Sequence, residues 1–214
     1  MLPARVHREE WEIDARLRDF GVSRAELVEV VRAVVAARAD AVVDDPASAE
    51  GQFAYIFGTR HVRRVFKAHG WLRYRQDNVE SVKHPDTDLK VIYQSVDLAA
   101  DRLHSPQAIS GKGSGADRMI SAGQGTLFPE EDMESARVQM LQDLKAGAWF
   151  FCVSVSGDDV RAELSLPSGV SNGNFGSFLE RIFIVREGEW PLLDLTSGSP
   201  PDAAEFEPVI SRKR

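Results

Sequence analysis

The stretch "AWFFCVSVSGDDVRAELSLP", Ala148 to Pro167, decides the fold. Two apolar runs of strand length, rich in aromatic and β-branched residues, flank Gly157-Asp158-Asp159, and a Gly-Asp pair between such runs is a hairpin signal. Downstream, "RIFIV" (181–185) and "PLLDL" (191–195) have the same character, so the segment reads as an antiparallel meander. Immediately upstream, "MESARVQMLQDLKAG" (133–147) has helical periodicity.

Farther back, "NVESVKH" (78–84) and "DLKVIYQSV" (88–96) flank "PDT", and Leu89, Val91 and Tyr93 alternate with Lys90, Ile92 and Gln94. That period of two predicts a second hairpin. Before it the period is helical. A polar helix around "HREEWEIDARLRDF" stops at Gly21, and Ser23 and Glu26 form a capping box for a helix running to Val43. Pro46 opens a third helix with Phe53, Ile56 and Phe57 on one side, and Gly58-Thr59 divides it from a fourth, "RHVRRVFKAHG", which Gly70 ends.

The expected fold is therefore α+β. A helical part (1–76, four helices) is followed by a β-hairpin (77–100) and a Gly- and Ser-rich connector (101–131). One helix and an antiparallel sheet follow (132–196), then a polar tail (197–214), all within one compact domain. The composition agrees: 214 residues, 43% hydrophobic and 28% charged, is enough to bury a core. The start "MLPARVHREEW" is charged and no run of about 18 apolar residues occurs, so we expect neither signal peptide nor membrane contact, and a cytoplasmic location. Cys152, the one cysteine, cannot form an internal disulfide and sits in a strand-like run where it serves as a small hydrophobe.

Four features bear on function. At about 100° per residue, Arg60, Arg63, Arg64 and Lys67 share one third of a helix circumference, with Val62, Val65 and Phe66 opposite, and Arg73 and Arg75 extend the basic region. Cations so spaced can meet successive phosphates, so nucleic acid is an expected partner. The same helix holds "RVFKAH", whose Arg-x4-His spacing resembles ribonucleases of the HEPN fold. Those two side chains point about 140° apart on a helix, and HEPN proteins are all-helical, so His69 reads as a helix-end residue beside the negative end of the dipole.

The predicted hairpin offers Glu80, Asp88 and Lys90, the residue types of a metal-dependent nuclease. There two carboxylates hold magnesium or manganese and a lysine steadies water or phosphate. Without that chemistry no cofactor is expected, and no cysteine pair or His-x3-His spacing suggests zinc. In "SGKGSGADR", glycines could admit a phosphate beside Lys112 and Arg118, although the Walker ending is missing.

The fourth feature is "QGTLF", Gln124 to Phe128, an apolar pair in a polar, Gly-rich connector. It resembles the Gln-x-x-Leu-Phe peptide by which bacterial polymerases and repair factors dock on the sliding clamp. The resemblance implies that Gln124 anchors at the mouth of the clamp's pocket while Leu127 and Phe128 fill its floor. Gly125 and Thr126 stand where leucine and serine or aspartate are common, and stapling of Leu127 and Phe128 to the protein's own core is the competing account. The expected function is a DNA-metabolism accessory docked on the clamp. A metal-dependent nuclease or phosphodiesterase and a partner-binding protein without a nucleic-acid role are the alternatives.

Overall fold

The computed structural model describes residues 4–109, 147–171 and 174–196. These comprise strand β1 (Arg5–His7), helices α1 (Glu10–Leu17), α2 (Arg24–Ala39) and α3 (Ala49–Ala68), and strands β2 (Leu72–Gln76), β3 (Val79–Lys83) and β4 (Lys90–Ser95). Beyond the connector come β5 (Ala148–Ser156), β6 (Asp159–Pro167), the short β7 (Val170–Ser171) and β8 (Asn174–Phe175), β9 (Phe178–Val185) and helix α4 (Trp190–Thr196). Seven strands form one mixed sheet in the order β1-β9-β6-β5-β4-β3-β2, so the protein is α+β. The pairs β1/β9 and β4/β5 are parallel and the other pairs of this sheet antiparallel.

The local signals at the N-terminal helices act as their chemistry dictates. Gly21 takes φ of 71°, the left-handed conformation that ends the first helical segment, which closes with a 3-10 turn over Arg18–Phe20. Ser23 then accepts from the backbone N–H of Glu26 at 3.3 Å, while the Glu26 carboxylate accepts from the Ser23 N–H at 2.8 Å. This capping box starts α2.

Six expectations are corrected. β1 adds a strand to the part read as helical. α2 ends at Ala39, and Val42 and Val43 stand exposed beyond it. Pro46 lies in the turn before α3, its carbonyl accepting from Ala49 at 2.8 Å. The third and fourth helices are one, because Gly58-Thr59 does not break α3: the missing Cβ of Gly58 makes room for the ring of Tyr93 on β4. "PLLDL" lies in a helix, where Pro191 occupies the first turn and its absent N–H needs no partner. A further strand, β2, pairs with β3 across Asp77-Asn78, both at positive φ, as a tight hairpin turn requires.

α1, α2 and α3 cover one face of the sheet. Their Leu17, Val31, Val62 and Phe66, with Phe20 of the 3-10 turn, share a core with Trp71 and with Trp149, Phe151 and Leu164 of the strands. Phe20 packs edge-on to Trp149, and Trp71 donates its indole N–H to the Phe20 carbonyl at 3.1 Å. The other face carries a smaller cluster in which Phe150, Phe175 and Phe178 pack with Ile92 and the buried Cys152. Segment 97–109 lies against this face. Glu163 of β6 and Arg181 of β9 form a bidentate ion pair there (2.6 and 2.9 Å), Glu163 accepts from the Ala100 N–H at 2.5 Å, and Arg181 donates to the His104 carbonyl at 3.1 Å.

Candidate nucleic-acid interface

α3 is buried along Ala54, Gly58, Val62 and Phe66, one residue per turn. The sequence offered Phe53, Ile56 and Phe57 as the packing side, yet Ile56 is 47% exposed, as is Tyr55. Small side chains at Ala54 and Gly58 explain the rotation, since they let the helix axis approach β4 and turn Tyr55, Ile56 and Arg60 outward. Arg60, Arg64 and Lys67 are exposed on the same side.

The β2–β3 hairpin forms the facing wall. Arg73 pairs in register with Val82, a residue of the core beneath the helices, and Arg75 pairs with Glu80. By strand alternation both arginines point to the α3 side of the sheet. The groove between α3 and the hairpin has a volume of ≈ 670 Å³ and is lined by Tyr55, Arg60, Arg64, Lys67 and Arg73, with Arg63 and Glu80 between the walls.

The six cations divide by role. Arg63 forms an ion pair with Glu80 and donates weakly to the carbonyls of Tyr74 and Ser81, so it ties helix to hairpin. Arg75 stands 3.3 Å from Glu80 and also donates to Asn78. Arg60, Arg64, Lys67 and Arg73 make no salt bridge to a described residue; Arg60 lies over the Phe57 ring, 4.5 Å from its centroid. Burial works to raise the Glu80 carboxyl. The hydrogen bond and charge of Arg63, with Arg75 and Arg73 behind it, outweigh burial and hold it below the usual carboxylate range. Glu80 is thus one carboxylate among an excess of positive charge, in a chain whose net charge is −7.

Glu80 is not brought together with Asp88 and Lys90. Glu80 faces α3, whereas Lys90 lies on the opposite face of the sheet, its ammonium 5.8 Å from the Tyr74 ring centroid. Asp88 is held by Lys90 at 2.8 Å and by Lys83 at 2.9 Å. Burial opposes its ionisation, but these two lysines dominate and keep its carboxyl below the usual range. Among the described residues no group of three or more His, Cys, Asp or Glu could hold a metal ion.

His69 caps the end of α3 and shares a 2.7 Å contact with Glu26, tying that end to the start of α2 and away from Arg64. Lys112, Arg118, Gln124, Leu127 and Phe128 lie outside the described residues. Sequence reasoning missed Tyr55 and Ile56 as groove residues; the small residues at Ala54 and Gly58 were the available signal. It also missed strand β2, which Asp77-Asn78 between two five-residue runs announced. Among the described residues no helix is long and apolar enough to cross a membrane. No protein-family model, curated protein or solved structure matches the chain.

Proposed function

We propose that the protein is a DNA-metabolism accessory that binds nucleic acid in the groove between α3 and the β2–β3 hairpin and docks on a sliding clamp through Gln124 to Phe128. One observation carries the first half. Arg60, Arg64, Lys67 and Arg73 come from two elements, converge on one groove and make no salt bridge to a described residue. Like charges gathered in a recess repel one another, and a polyanion relieves that repulsion while releasing its counterions. A solvated basic face needs no such convergence from helix and strand. The clamp half is supported by the resemblance of "QGTLF" alone.

The nuclease reading finds no comparable support, because Glu80 and Asp88 face opposite sides of the sheet and each is already held by two cations. For the groove, fluorescence anisotropy of a labelled oligonucleotide, titrated with protein at several salt concentrations, is the test. The parent protein should bind with a linear log-log salt dependence. The triple change Arg60→Glu, Arg64→Glu and Lys67→Glu should abolish binding while the melting temperature stays close to the parent value. Binding that survives the triple change would remove the groove from the proposal, and a parent that binds no nucleic acid favours a partner-binding role.

A further inference from the structure

We propose that the nucleic acid held in the groove is a single strand, with its phosphates along Arg64, Lys67 and Arg73 and a base stacked on Tyr55. This rests on the reading of the groove as a nucleic-acid site. Two observations select the single strand. The first is shape. A duplex is read by an element that projects into one of its grooves, but here the cations line a recess, and α3 is packed against α2 on one side and β4 and the hairpin on the others. Arg64 and Lys67 on one wall and Arg73 on the other flank an open groove, an arrangement that suits one line of phosphates.

The second is the aromatic at the end of the basic row. Single-strand sites combine a basic track with flat side chains on which bases stack, since every base offers a π-face once unpaired. Tyr55 is 47% exposed beside the equally exposed Ile56 and has no ring partner among the described residues. The next ring, Phe57, differs: the Arg60 guanidinium lies over it, and His61 stacks on it with a 14° interplanar angle. From Tyr55 to Lys67 the helix rises about 18 Å at ~1.5 Å per residue, a track for a few nucleotides.

The experiment is anisotropy with a fluorescein-labelled single strand and the same strand annealed to its complement, using the parent protein and Tyr55→Ala, Tyr55→Phe and Arg64→Glu. We expect the parent to prefer the single strand at least tenfold. Tyr55→Ala should weaken single-strand binding roughly 5- to 100-fold, the loss of one base–aromatic stack, with the salt slope unchanged because no phosphate contact is lost. Tyr55→Phe should bind like the parent. Arg64→Glu should instead lower the slope by about 0.7, the value of one phosphate on a single strand. Should Tyr55→Ala melt below the assay temperature, Tyr55→Leu decides, since it keeps apolar contact without a flat ring; full affinity there overturns the stacking. Equal or tighter duplex binding, or a Tyr55→Ala protein that binds like the parent, overturns the inference and leaves the groove standing. A parent that binds neither probe removes the groove reading itself.

Discussion

Gly58 lies under the ring of Tyr93, so close that a Cβ added to it would fall 2.4 Å from Cε2 and 2.5 Å from Cδ2. Glycine within a helix ordinarily costs about 1 kcal/mol against alanine, so Gly58→Ala would stabilise an unconstrained helix. Here the sign reverses. Overpacking against a buried ring costs about 1–3 kcal/mol, and the melting temperature should fall by roughly 2–4 °C per kcal/mol. Adding Tyr93→Leu should recover part of the loss. A melting temperature that rises in Gly58→Ala would show that the ring yields freely.

Glu163 is fully buried beneath segment 97–109, where it accepts from Arg181, Ser165 and the Ala100 N–H. Glu163→Leu strands a buried guanidinium, and urea unfolding should report a loss of about 3–5 kcal/mol. Replacing both partners, Glu163→Leu with Arg181→Met, should be much milder, because neither charge is then left alone. A double variant as unstable as the single one would place the cost elsewhere than in the pair.

Tyr93 gives a pH signature. Burial pushes its phenol up to about 12, with the hydrogen bond to Ser95 working slightly the other way. The unfolded chain releases this proton near pH ~10 and the folded chain about two units later, so rising pH favours unfolding across that window. The contribution is complete below pH ~10 and lost by pH ~12, amounting to about 2–3 kcal/mol. Denaturant midpoints measured from pH 9 to 12 should fall less steeply in Tyr93→Phe than in the parent. Parallel curves for the two proteins would contradict the assignment.

For the clamp half of the proposed function, the double change Leu127→Ala and Phe128→Ala should remove binding to a purified sliding clamp, read by pull-down, with the melting temperature unchanged. If the pair is stapled to the protein's own core, the same variant loses several kcal/mol, as truncation of two large buried side chains does. A lower melting temperature with no clamp binding by the parent sinks that half of the proposal.

How much of this was legible in the sequence depended on distance along the chain. The basic row on α3 follows from the 3.6-residue period, and the capping box and the β3–β4 hairpin follow from contacts a few positions apart. The fate of Arg63 was hidden, because its partner Glu80 comes from a strand that must first fold back against α3. The division of α3 at Gly58 was misjudged for the same reason: a glycine reads as a break until the ring that needs its space is known. The parallel pairing of β4 with β5, in register from Lys90↔Ala148 to Ser95↔Val153, has no local signature, since the two strands are joined through the long connector. Charge alone gave the groove its helical wall, and only the alternation along β2 supplies the other.

The parallel seam between β1 and β9 has a consequence for how the chain is assembled. His7 meets Glu180 across 173 positions, at 2.7 Å, and Arg16 of α1 closes on the same carboxylate. At ~5–20 residues per second, a ribosome needs roughly 10 to 35 seconds between making the two halves of that seam. Throughout that interval β1 has no neighbour to pair with, and α1 lacks the carboxylate that receives Arg16. β1 is thus made long before the one strand it pairs with, and α1 waits as long for the carboxylate that anchors Arg16.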